Sequence, residues 1–214
     1  SPFCNNFPRR ILARRLAIPR CGADDPVRKQ LPADHQLTPL MSRSIGNCIA
    51  DSLALSVGYA RRLLNGVTPE NYARFAAPGG QVVEANHPAF TLGHLALYPV
   101  RVVEQLGADP GQVTPSPRFL ELFAANVKCV DDANGSAYPS LEEITRAFFD
   151  NYAIVEALLR KTPDEKFQAP SMHPTMAEKF PTLGSMHAFY CSGHLMMHLG
   201  QLSTWRRMQG LGPA

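Results

Sequence analysis

Apolar residues recur at three- and four-residue steps in four long segments of this chain, and no segment of weight alternates with the period of a strand. In residues 43–65 the seam reads Ile45, Ile49, Ser52, Leu53, Ser56, Tyr59 and Leu63, and Asn65-Gly66 supplies a stop signal. A second helix is expected to start at Asn86 or His87, with Asn86 as cap, Pro88 in the first turn, and Phe90, His94 and Leu97 facing inward. Pro99 lies inside that pattern. It lacks a backbone donor and its ring clashes one turn back, so a kink is expected just after His94. The helix should then resume to Leu106 and stop at Gly107. The third seam runs Leu141, Ile144, Phe148, Tyr152, Val155 and Leu159, behind a capping box of Ser140 and Glu143. The fourth helix spans residues 185–209 and ends at Gly210.

The connections are richer in Pro and Gly. Residues 66–85 are polar, with a short helical turn expected over Asn71 to Phe75, and residues 107–138 are mixed, with a short helix expected from Arg118 to Val127. Residues 162–184 read as one long loop that either roofs a site or crosses the surface. Together the segments predict an all-α four-helix bundle over residues 41–214.

Residues 1–40 do not fit the periodicity and read as an irregular N-terminal arm rich in Arg and Pro. Six Arg and Lys29 stand there against three Asp, so the arm carries +4 of a total net charge of +3 and the remainder is −1. Three readings of the arm are open. It is upstream sequence ahead of a natural start at Met41, a segment that wraps the domain or a partner, or a targeting segment.

A net charge of +3 is too small to argue for nucleic acid. No apolar run approaches the roughly 20 residues of a membrane span. Arg14 and Arg15 interrupt the arm's apolar patch, unlike a secretory leader. The five Cys, at 4, 21, 48, 129 and 191, show no C-x-x-C spacing and read as free thiols of a reducing compartment. A soluble, cytoplasmic protein is expected, with 45% hydrophobic residues to fill a core.

The chemistry concentrates in GHLMMHLGQLSTWRRMQG, residues 193–210. On a helix His194 and His198 share one face, about 6 Å apart along the axis. Cys191 and Trp205, not charges, flank them. An imidazole buried without a partner costs about 1–3 kcal/mol, and one divalent cation satisfies several at once. No Glu follows the first His, so this is not the H-E-x-x-H of metalloproteases. His94 is the candidate third ligand. Surface or hydrogen-bonded core histidines are the alternative for all three.

Other polar residues are candidates for the same site. Tyr98, four residues after His94, could donate to a bound oxyanion or be an interfacial Tyr with a wet hydroxyl. Gln201 could bond a metal-binding His from behind. Cys191 reads as a fourth ligand, a reactive thiol or a small buried hydrophobe. His187 lies about 10 Å along the axis from His194 and is expected to be solvated, at most lining the mouth of a pocket. Trp205 is expected in the core.

These residues resemble the DinB/YfiT-like superfamily of bacterial four-helix-bundle proteins. The resemblance covers residues 43–212 in helix order and spacing, and is most specific at His194, His198, Gly200, Gln201, Arg207 and Gly210. It implies one divalent metal held by His94, His194 and His198. Leu199 stands where many members have Arg, and the arm has no counterpart. Three imidazoles leave positions open to water or substrate. They suit zinc, nickel, iron or copper; zinc and nickel lead the expectation, with iron or manganese behind them. Characterised members are thiol transferases and isomerases that use bacillithiol, mycothiol or glutathione. The resemblance thus implies a metal-dependent enzyme that activates a low-molecular-weight thiol toward a small electrophile. The alternatives are a hydrolase using metal-activated water and a non-catalytic, stress-associated metal-binding bundle. The implied partner is a small-molecule substrate, and pairing into a homodimer is a further expectation with no face assigned.

Overall fold

The computed structural model describes residues 43–214. The expectations for the arm, and for a start at Met41, lie outside the described residues. Within them run α1 (Ile45–Leu63), α2 (Pro88–Leu95), α3 (Pro99–Leu106), α4 (Pro117–Phe123), α5 (Leu141–Lys161), α6 (Asp164–Gln168), α7 (Leu183–Ala188) and α8 (His194–Met208). Among the described residues there is no strand, only the isolated bridges Ala76 with Val83 and Pro170 with Thr182. The architecture is an all-α bundle in which α1, the α2–α3 pair, α5 and the α7–α8 pair are the four rods.

α1 starts where Ser44 accepts from Asn47 N and the Asp164 carboxylate accepts from Ile45 N, so two orphan donors of the first turn are satisfied. Its buried face includes Ile49, Leu53, Ser56, Ala60 and Leu63. Ser52 is exposed and Tyr59 only half-buried, because the core-facing stripe is narrower than the expected seam. A Cβ at Gly46 would stand 2.1 Å from the Leu159 carbonyl oxygen, so α1 and α5 approach there at backbone distance.

Pro99 breaks the second rod as expected: α2 ends at Leu95 and α3 begins at Pro99. The carbonyl that Pro99 cannot satisfy belongs to Leu95, four residues back. The buried Tyr152 hydroxyl donates to it at 3.0 Å. The core thus supplies what the proline removes. Gly107 ends α3 at φ 86°, a left-handed cap that costs glycine little.

Several expectations are corrected. His87, not Asn86, caps α2, its Nδ1 accepting from Phe90 N at 3.3 Å. Residues 69–73 form turns rather than helix, and residues 74–75 are irregular. α4 stops at Phe123, short of Val127. Ser140 accepts from Glu143 N, but only this half of the expected capping box forms; the full box opens α7, between Thr182 and Ser185. Residues 162–184 are not one loop. They hold α6 and return through paired backbone bonds, Ser171 N to Pro181 O and Leu183 N to Ala169 O.

The last rod is not one helix of 185–209. A π turn, Phe189–Gly193, joins α7 to α8, and the His194 N–H reaches back five residues to Phe189 O. One extra residue rotates everything before it by about 100° relative to α8. Arg206 ties the end of α8 to α1 and to the C-terminal tail. Its buried guanidinium donates to Leu63 O and Asn65 O at the end of α1, and to Leu211 O and Gly212 O of the tail.

Candidate metal centre

α2 and α8 bring His94, His194 and His198 together. Their ring centroids are 5.5 Å (94 to 194), 4.9 Å (94 to 198) and 4.7 Å (194 to 198) apart. One ring nitrogen from each lies within 4.8 Å of the others. Among the described residues this is the one group of three His, Cys, Asp or Glu so disposed. His94 and His194 are buried and His198 half-buried.

Two of the rings are oriented from behind. His94 Nδ1–H donates to the Phe123 carbonyl at 2.8 Å. That carbonyl is free because α4 ends at Phe123, and the last carbonyls of a helix lack partners within it. A carbonyl only accepts, so Nδ1 holds the proton and Nε2 keeps its lone pair. His198 Nδ1–H donates to Gln201 Oε1 at 3.1 Å. By contrast, His194 Nδ1 is buried without a hydrogen-bond partner.

Burial sets the electrostatics. Desolvation pushes the His194 pKa down to about 3, helped by the neighbouring charges of His198 and His94. It also lowers His94, against the raising effect of the Phe123 bond, and lowers His198. Near neutral pH all three rings are uncharged. Converging lone pairs, no counter-charge and one orphaned ring nitrogen form a donor set that a divalent cation fits.

The cluster opens into a cavity of about 350 Å³, walled by Asn86, Phe90, Tyr98, Ala125 and Val127. The Tyr98 hydroxyl stands 3.4 Å from His94 Nε2, and its ring lies 4.3 Å from that of His194. Burial pushes its hydroxyl above the usual phenol range, so it stays protonated.

A family model described as the DinB superfamily matches residues 53–202. The chain belongs to this superfamily. No curated protein and no solved structure matches the chain. The DinB superfamily is typically metal-binding, and this member's histidine cluster could bind a metal. No helix among its described residues is long and apolar enough to cross a membrane.

Other candidates fall elsewhere in this DinB-like bundle. Cys191 is fully buried, and burial pushes its thiol up to about 12, so it is a small hydrophobe and not part of the cluster. Cys48, Cys129 and Cys191 are free thiols. Trp205 is core, its Nε1–H donating to Arg74 O at 2.8 Å. His187 is not solvated: it is fully buried, with Nε2 2.9 Å from Gln105 Oε1 on α3. The segment after α6 does not roof the cavity. Its Phe180 stacks on Phe189, which in turn abuts His194, and the cavity is lined instead by residues such as Ala125 and Val127 after α4. Sequence reasoning missed Phe123, which acts through its backbone carbonyl, and Asn86, which it read as a cap.

Proposed function

We propose that this member of the DinB superfamily is a metal-dependent enzyme in which His94, His194 and His198 hold one divalent cation and a low-molecular-weight thiol is activated toward a small electrophile. The observation that carries the reading is the convergence of three uncharged imidazoles from two helices at the base of an open cavity. A cation bound there lowers the pKa of a thiol that reaches it, and the thiolate is the nucleophile. The neutral nitrogen donors favour zinc or nickel over manganese, with iron between them.

The chain's own residues orient and enclose. Phe123 O and Gln201 Oε1 hold two of the rings in position. The protonated Tyr98 hydroxyl, beside His94, can donate to negative charge that develops on the electrophile. Phe90, Ala125 and Val127 give that side of the cavity an apolar surface, suited to an uncharged electrophile and poor in water.

The test is turnover. The full chain, loaded with zinc or nickel, is mixed with monochlorobimane and with bacillithiol, mycothiol or glutathione in turn. Metal-dependent conjugation of at least one thiol, lost in His194→Ala, is the expected result. Bound metal with no thiol consumed would overturn the reading, and metal-dependent cleavage of an ester probe would replace it with a hydrolase.

A further inference from the structure

Asn86 lies directly before the cap of α2, yet its side chain reaches across to α8. Its Nδ2 donates to Gln201 Oε1 at 3.1 Å. The same oxygen accepts from His198 Nδ1 at 3.1 Å. One amide oxygen therefore takes two donors, one from each side of the cleft.

This geometry has a chemical consequence. A primary amide has an acceptor at one end and a donor at the other, and it can turn end for end. If Gln201 turned, it would present N–H to His198 Nδ1. The ring proton would then have to sit on Nε2, and the lone pair available to the cluster would be lost. While the Asn86 amide N–H groups face Gln201, that turn would set donor against donor. We propose that Asn86 is a positioning residue that fixes the Nδ1–H tautomer of His198 through Gln201. His94 needs no such device, because the backbone carbonyl of Phe123 cannot turn. The consequence for metal rests on the proposed three-histidine site; the tautomer itself does not.

Two substitutions separate this role from simple packing. Asn86→Asp keeps nearly the same shape but cannot donate, so Gln201 should turn its N–H groups toward the new carboxylate. Asn86→Ala removes the constraint without reversing it. The readout is the two-bond ¹⁵N–¹H imidazole spectrum of the metal-free full chain near pH 8, with the His198 signals assigned by their loss in His198→Ala. The unsubstituted chain should show His198 as Nδ1–H, Asn86→Ala a mixture, and Asn86→Asp mainly Nε2–H. Zinc titrations should follow the same order, with Asn86→Asp weaker by about tenfold or more, the range for residues behind a metal ligand. Packing alone would make Asn86→Asp the milder change. If His198 keeps Nδ1–H in Asn86→Asp, the proposal is overturned, whatever the metal does. If the unsubstituted chain binds no metal, the three-histidine reading fails while the spectra still decide the role of Asn86.

Discussion

His87 and His187 are more deeply buried than the clustered histidines, at 0% exposure against 6% for His94 and His194. Depth therefore does not separate a structural histidine from a functional one. What separates them is whether ring nitrogens from several histidines converge. His87 spends both nitrogens on the fold: Nε2–H donates to Val130 O at 2.9 Å and Nδ1 accepts from Phe90 N. His187 ties α7 to α3 through Nε2 and Gln105, and its Nδ1, buried without a hydrogen-bond partner like that of His194, meets no other histidine of a cluster. In the cluster the nitrogens left over after Phe123 and Gln201 face one another. All five rings are kept neutral by the same cause, desolvation, yet only three are arranged to share a ligand.

The sharpest way to break this contrast is His194→Ala. Zinc or nickel affinity measured by calorimetry should fall more than about 100-fold, beyond the range for residues that only support a ligand. Stability of the metal-free protein should fall only by the packing lost against Tyr98 and Phe189, since His194 Nδ1 has no hydrogen bond to lose. Equal loss of stability and no loss of affinity would place His194 with the structural pair.

Next in size is a pH effect on stability. Burial, reinforced by the Lys166 charge, pushes His187 down to about 4 from an ordinary 6.5. The unfolded chain takes up the proton first as pH falls. The stability linked to His187 is thus complete above pH 6.5 and is lost progressively as pH falls toward 4, a change on the order of 3 kcal/mol. Denaturant unfolding across that window should show the loss, and His187→Leu should flatten it by this share. His87 and the cluster contribute with the same sign, so a remaining slope is expected.

His87→Ala should cost about 2 kcal/mol in the same unfolding experiment, from a lost cap and a Val130 carbonyl left without its donor, while metal affinity stays unchanged. A large drop in affinity would show that the start of α2 governs the cluster more than Phe123 does. The smallest effect is expected from Tyr152→Phe, about 1 kcal/mol, because the Leu95 carbonyl at the kink loses its 3.0 Å bond and keeps only the 3.3 Å bond from Tyr98 N.

Much of the fold was legible in the sequence because its signals are local. The α5 seam from Ile144 to Leu159 is buried as the periodicity requires, Pro99 breaks the second rod and Gly107 ends it. The π turn before His194 was not legible, since an i→i+5 bond has no residue signature and its choice depends on packing. The fate of Arg206 and His187 depended on partners far away in sequence, Leu63 and Gln105. At the site, helical spacing paired His194 with His198, but their meeting with His94 across a hundred residues rested on family resemblance, which the match over residues 53–202 supports. Phe123 was invisible for a different reason: its contribution is a backbone atom, exposed to His94 only because α4 ends early.

The most direct measurement is X-ray absorption at the metal edge of the full chain after titration with zinc or nickel. One ion per chain should bind, with light-atom ligands at about 2.0–2.1 Å for zinc, the outer-shell scattering of three imidazoles, and loss of that pattern in His94→Ala. Failure to bind one equivalent, or a spectrum with sulfur in place of imidazole and indifferent to His94→Ala, would contradict a shared three-histidine centre.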